Sequence, residues 1–175
     1  MKRILIIGGG LIVALLSILI GLGHEVSTPV ITSPSHRGYL LRREIFSALD
    51  NASSMRVIEH SCRWDSTETM NDPNFKETIY ATVTLDREHI ESLRKALPQA
   101  LDYGDTQFRA CIFEEHHRIE IVQGDGRTFI LRICFHCGEL EVNDGEQRIM
   151  PEGWDGSLRT FFVSLGLRPD GPWKQ

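Results

Sequence analysis

Charge is missing from one long stretch of this chain. From Ile4 to Gly23 there is no charged side chain, and between Arg3 and Arg37 there is no lysine or arginine. Other absences narrow the chemistry. No nucleophile elbow, phosphate-binding glycine loop or His-Glu-x-x-His pair is present, so the familiar signatures of acyl transfer, nucleotide hydrolysis and zinc proteolysis are lacking. There is no internal repeat, low-complexity block or long charge run. Basic residues are also scarce: setting aside Lys2 and Arg3 takes the formal net charge from −5 to −7. Nucleic acids and anionic membrane surfaces reward clustered Lys and Arg, so no nucleic-acid partner is expected.

The uncharged run has two readings. In one, Lys2 to Ile7 is a first strand, and Gly8 and Gly10 open a dinucleotide-binding turn. The third glycine position of that fingerprint is Val13, and no acidic residue stands near Thr28-Pro29-Val30 to reach a ribose. Its helix, Leu11 to Leu22, has only Ser17 as a polar side chain, whereas a helix covering one face of a sheet shows water a polar face. The other reading fits better. A helix of about 20 apolar residues spans about 30 Å, the thickness of a hydrocarbon core. Lys2 and Arg3 before the run orient it with the N-terminus in the cytoplasm. Residues 1–23 are therefore expected to be a membrane anchor or a signal peptide, contacting the membrane through residues 4–23. Gly21-Leu22-Gly23 is a poor cleavage site, which favours the anchor, and no Cys follows for lipid attachment. The expected location is the cell membrane, single-pass, with the C-terminal domain outside the cytoplasm, or secretion if the segment is cleaved.

Past this segment, residues 24–36 hold Ser27, Thr28, Pro29, Ser33, Pro34 and Ser35 and read as a linker. Residues 37–168 are long enough for one domain with its own core, and 169–175 read as a tail. Tyr39, Leu40, Ile45, Phe46 and Leu49 have helical spacing over 37–50. Met55 to Cys62 alternates like a strand, and 63–75 reads as a long loop. Thr78 to Leu85 is rich in β-branched residues, and Asp86 caps a helix running to Leu97 before Pro98. Phe108–Phe113, His117–Val122, Arg127–Phe135 and Glu139–Val142 read as four further strands. Gly124-Asp125-Gly126 and Asn143-Asp144-Gly145 are hairpin turn signals, which makes the strands antiparallel. A last helix is expected over Asp155–Leu165 with Gly166 as its C-cap. The expected fold is α+β: an antiparallel sheet of five to six strands with two to three helices packed on one face.

Chemistry, if any, gathers on the cysteines. All four, Cys62, Cys111, Cys134 and Cys137, follow the uncharged run. Outside the cytoplasm an even count suggests disulfides, with three possible connectivities; Cys134–Cys137 and Cys62–Cys111 are the simplest pairs. Cys134-Phe135-His136-Cys137 falls at a turn between strands, unlike a thioredoxin-type pair at a helix N-terminus. A Cys-x2-Cys at a hairpin tip can also aim both thiolates at one ion. With Cys111 and His116 (or His117) it would complete a tetrahedral zinc site, Cys111-x4-His116-x17-Cys134-x2-Cys137. Buried thiols packing as small hydrophobes are the third alternative. His60, His116, His117 and His136 could cluster, although a histidine on a strand is more often hydrogen-bonded within the structure. Glu114-Glu115-His116-His117 reads as a solvated turn. No catalytic residue is assigned.

From the Thr-Val-Thr-Leu strand end, through the Leu-x3-Leu helix and Cys111 with His116 and His117, to Ile133-Cys134-Phe135-His136-Cys137, the chain resembles small bacterial proteins, exported or membrane-anchored, of no known activity. The resemblance spans roughly residues 55–165. It implies a place in the bacterial envelope and transfers no reaction. The sequence thus predicts an envelope protein, more a binding domain than an enzyme, with an unidentified protein partner. The alternative is a metal-binding or redox domain built on Cys111, His116, Cys134 and Cys137, with zinc as the possible cofactor.

Overall fold

The computed structural model describes residues 34–99 and 111–171. The expected membrane segment, most of the expected linker, part of the Phe108–Phe113 strand and the end of the 169–175 tail lie outside these residues. Among the described residues no helix is long and apolar enough to cross a membrane.

Helix α1 spans Pro34–Asp50 and so begins inside the stretch read as linker. Proline is well tolerated in a first helical turn, where its missing N–H would have had no intrahelical acceptor. The buried stripe is Leu41, Ile45, Ala48 and Leu49, while Tyr39 and Leu40 face outward. The sequence had placed those two on the apolar face. Phe46, half-buried at the rim, lies under the Arg42 guanidinium at 3.9 Å.

Strand β1, Ala52–His60, comes next. The following stretch is not the plain loop expected. It holds a 3-10 turn, Arg63–Asp65, and a short helix α2, Thr67–Asn71. Side chains fix both. Asp65 accepts the Cys62 N–H at 2.8 Å. Ser66 and Thr69 exchange backbone N–H bonds to each other's hydroxyls at 3.1 Å, a reciprocal cap. The excursion closes where the Ser61 N–H donates to the Thr78 carbonyl and the Thr78 N–H to the Ser61 hydroxyl.

Strand β2 is Ile79–Thr84 and helix α3 is Arg87–Ala96. Asp86 caps α3 as expected, accepting the His89 N–H at 2.9 Å. Strands β3 (His117–Gln123), β4 (Thr128–Cys134), β5 (Glu139–Val142) and β6 (Gln147–Ile149) follow, then helix α4, Trp154–Ser164. Cys111 to Glu115 is not a strand. The sixth strand is instead Gln147–Ile149, the return arm after Asn143-Asp144-Gly145. Both Asn143 and Asp144 have positive φ, at the centre of a turn closed by the Gly145 N–H on the Val142 carbonyl. Gly166 at φ +78° ends α4: its N–H bonds to Val163 and that of Leu167 to Phe162.

The fold is α+β, a six-stranded antiparallel open sheet in the order β2-β1-β3-β4-β5-β6 with helices. Alternation assigns its two faces. Met55 and Val57, Ile119 and Ile121, Phe129, Leu131 and Ile133, Leu140 and Val142 join α1, α3 and α4 in one apolar core. Trp154, fully buried, donates its indole N–H to the Pro98 carbonyl and so ties α4 to the end of α3. Burying such a side chain stabilises the fold by about 1.5–3 kcal/mol. The opposite face carries a ladder of paired charges: Arg56–Glu120–Arg118–Glu77 across β1, β3 and the approach to β2, and Arg132 with Glu115 and Glu141.

Candidate functional site

The end of the sheet where β1 stops, β3 starts and β4 stops collects the residues singled out by sequence. The pairing makes this unavoidable. Glu59 faces His117 across β1–β3, and His117 faces Ile133 across β3–β4. Residues just past these positions, Ser61 and Cys62, Cys111 to His116, and Cys134 to Cys137, must therefore meet.

Sulfur chemistry comes first. Cys111 and Cys137 form a disulfide, closing a sequence separation of 26 with Cα atoms 5.8 Å apart. Neither simple pair named from sequence, Cys134–Cys137 or Cys62–Cys111, is the one formed. The bond draws the segment after Cys111 onto the β4–β5 turn, where the Cys137 sulfur lies 3.1 Å from the Ile112 carbonyl oxygen. A segment held there does not run as the strand expected. Cys62 and Cys134 remain thiols and are buried. Burial pushes both thiols upward from their ordinary pKa, against backbone N–H groups directed at each sulfur. For Cys134 these include Cys137, at 3.4 Å, and Glu114.

The histidines divide by environment. His116 meets the Asp65 carboxylate at 2.6 Å, both largely buried. Asp65 therefore joins two strand ends, holding Cys62 through one oxygen and His116 through the other. His60 donates its Nδ1–H to the Ser61 carbonyl at 3.0 Å and sits between the carboxylates of Glu77, at 3.5 Å, and Glu115, at 3.4 Å. His117 is 1% exposed. It packs edge-on against Phe135 and Phe162, with Glu59 at 3.7 Å. Burial lowers its pKa to about 3, with the positive charges of this end adding to the effect. The Glu59 carboxylate does not reverse this, because it is committed elsewhere. It accepts the Arg168 backbone N–H at 2.8 Å and two guanidinium bonds at 2.7 and 3.1 Å. His136 alone of the four candidates is exposed.

Sequence reasoning thus located the Cys and His residues but misjudged Glu114 to His117. That run is not a solvated turn: His116 and His117 are buried, and Glu115 is engaged by Arg132. The carbonyl of His116 accepts the His60 N–H, so the chain is already joining the sheet there. Sequence reasoning also missed Glu59, Asp65 and Arg168. Glu59 had a readable signal: it occupies the core-facing parity of β1 after Met55 and Val57, where a carboxylate needs a partner.

The four residues of the zinc proposal, Cys111, His116, Cys134 and Cys137, share this end of the sheet. With Cys111 bonded to Cys137, two of the four offer no thiolate. Among the described residues no group of three or more His, Cys, Asp and Glu side chains is arranged to hold a metal ion. A groove of about 650 Å³ opens at the other end of the sheet, lined by Leu40, Ser47, Gln123, Thr128 and Phe129, away from the sulfur and histidine groups. No family model, curated protein or solved structure matches the chain, so the chemistry of this end stands on its own geometry.

Proposed function

We propose that this chain is an exported or membrane-anchored envelope protein whose α+β domain works by binding another envelope component. The observation that carries the reading is the Cys111–Cys137 bond. Structural disulfides persist in oxidising compartments and are rare where glutathione and thioredoxin keep thiols reduced. The uncharged run after Lys2-Arg3 supplies the route to such a compartment.

Fractionation and protease protection of the full chain in bacterial cells test this. The expected result is protein in the membrane or exported fraction, with the domain cut by protease added from outside. Under denaturing conditions without reductant, two cysteines should react with a maleimide, and four after reduction. Soluble cytoplasmic protein with four reactive thiols would overturn the proposal.

A second reading keeps the zinc site for the reduced chain. Its support is the Cys134–Cys137 turn, where backbone N–H groups point at the Cys134 sulfur and would stabilise a thiolate. Protein prepared under reductant should then carry one zinc per chain, lost on Cys134→Ser. Metal-free protein with four titratable thiols would remove this reading.

A further inference from the structure

Three of the four sulfurs lie on two adjoining segments, and only two of them are bonded. Cys134 ends β4 and Cys137 lies in the turn after it, three residues on. The Cys134 sulfur accepts the backbone N–H of Cys137 itself at 3.4 Å. The free thiol therefore sits against the main chain of the very residue whose sulfur holds Cys111.

We propose that Cys134 is an internal exchange thiol for the Cys111–Cys137 bond. The step is an isomerisation and balances without any other reactant. The Cys134 sulfur, as thiolate, attacks the Cys137 sulfur. The Cys134–Cys137 bond forms as the Cys111–Cys137 bond breaks, and the electron pair leaves on the Cys111 sulfur. The proton lost by Cys134 is the one Cys111 finally carries. One disulfide and one thiol enter, and one disulfide and one thiol leave. The product pairing closes a short ring within the turn, and it is one of the two simple pairs that the sequence suggests.

Two features set the direction of use. Backbone N–H groups of Cys137, Glu114 and His136 aim at the Cys134 sulfur, so an attacking thiolate is met by donors already in place. Cys134 is 0% exposed, whereas Cys111 is only partly buried. Exchange thus moves the free thiol from a closed position to one that solvent and an outside disulfide can reach. It also unfastens the segment after Cys111 from the β4–β5 turn. Burial favours the protonated form of Cys134, so the exchange is slow near neutrality. It speeds up about tenfold per pH unit while the thiolate is the minor form. Cys62 is not the exchange thiol. Its sulfur is met by the backbone N–H of Trp64 and Glu115, on its own turn and the chain beside it.

The inference rests on the disulfide reading, and its test separates the two. Full-length protein, purified without reductant, is incubated with a maleimide at pH 7 and pH 8, quenched in acid and mapped by peptide mass spectrometry. The expected result is slow labelling of Cys111, about tenfold faster at pH 8, with a Cys134–Cys137-linked peptide appearing in step. Cys134→Ser should abolish labelling of Cys111, and Cys62→Ser should leave it unchanged. Four labelled thiols in denaturant without reductant would remove the disulfide and this inference with it. An intact Cys111–Cys137 peptide, with Cys111 unlabelled at both pH values, would overturn the exchange alone. So would equal labelling of Cys111 in Cys134→Ser. Should that variant not fold, the linked peptide in the unaltered chain decides.

Discussion

The two ends of the sheet are built differently. At the hairpin end, turns are made by neighbours in sequence. The Gln123 N–H bonds to the Arg127 carbonyl around Gly126 at φ +85°, Asp125 holds the Arg127 backbone N–H, and Asn143 accepts the Ile130 N–H. At the sulfur end, the contacts span most of the chain. Glu59 reaches Arg168, Asp65 reaches His116, His60 reaches Glu115, and Cys111 reaches Cys137. The first end is held by exposed groups whose loss water can repair. The second places ionisable groups where their partners are the only substitute for water.

The comparison can be broken in order of cost. Glu59→Ala removes a buried carboxylate from the three bonds that hold the segment at Arg168. It should lower unfolding free energy by about 3 kcal/mol in a urea titration, because the Arg168 backbone N–H loses its acceptor while the half-exposed guanidinium can turn to water. Asp125→Ala, the carboxylate of the hairpin end, should change it by less than about 0.5 kcal/mol. Equal effects would erase the distinction between the ends.

Opening the disulfide comes next. In the chain-entropy view, a loop with the separation of Cys111 and Cys137 contributes about 3 kcal/mol. Cys111→Ser should therefore lower the thermal midpoint measurably, and reductant should lower it equally in the unaltered chain but not further in the variant.

Acid should act through His117. Its folded pKa, about 3, lies below the unfolded value near 6.5. The unfolded state then binds the extra proton, so stability is full above about pH 6.5 and falls as pH drops toward 3. Glu77 and Glu120 have carboxyls held below the usual range by their arginines, so their contributions fade only near and below about pH 4.5. Between about pH 6.5 and 4.5 His117 contributes a loss of about 2–3 kcal/mol. His117→Phe, which keeps the ring packing, should reduce the slope of stability against pH there. An unchanged slope would show that His117 does not stay neutral in the folded chain.

At the hairpin end the backbone is more sensitive than the exposed Asp125 carboxylate. A methyl group on Gly145 would stand 2.8 Å from the Val142 carbonyl oxygen, too close without a backbone shift. Gly145→Ala should cost about 1–2 kcal/mol and leave disulfide mapping at the other end untouched.

Legibility in the sequence follows the same division. The Asp86 cap, the Gly166 stop, the Gly124–Gly126 turn and the alternation of β3 and β4 could all be read. Each depends on residues within a turn or two of one another. The strand expected at Phe108–Phe113 is not one over its described part, Cys111 to Phe113, because a distant sulfur claims that segment. Gln147–Ile149 was overlooked because three residues carry too little alternation to be recognised. On α1, Tyr39 and Leu40 have helical spacing like the true core residues. Only the position of the sheet decides that Leu41 and Ile45 face inward.

By itself the sequence determined the class of fold, the hairpins with their caps, and the set of cysteines and histidines available for chemistry. Propensity, capping and periodicity are local and act before any distant contact forms. The tertiary structure decided which sulfurs pair, which histidine loses its charge to burial, and that Glu59 belongs to Arg168. These depend on distance and dielectric between residues far apart in the chain, and both exist only once the sheet has assembled.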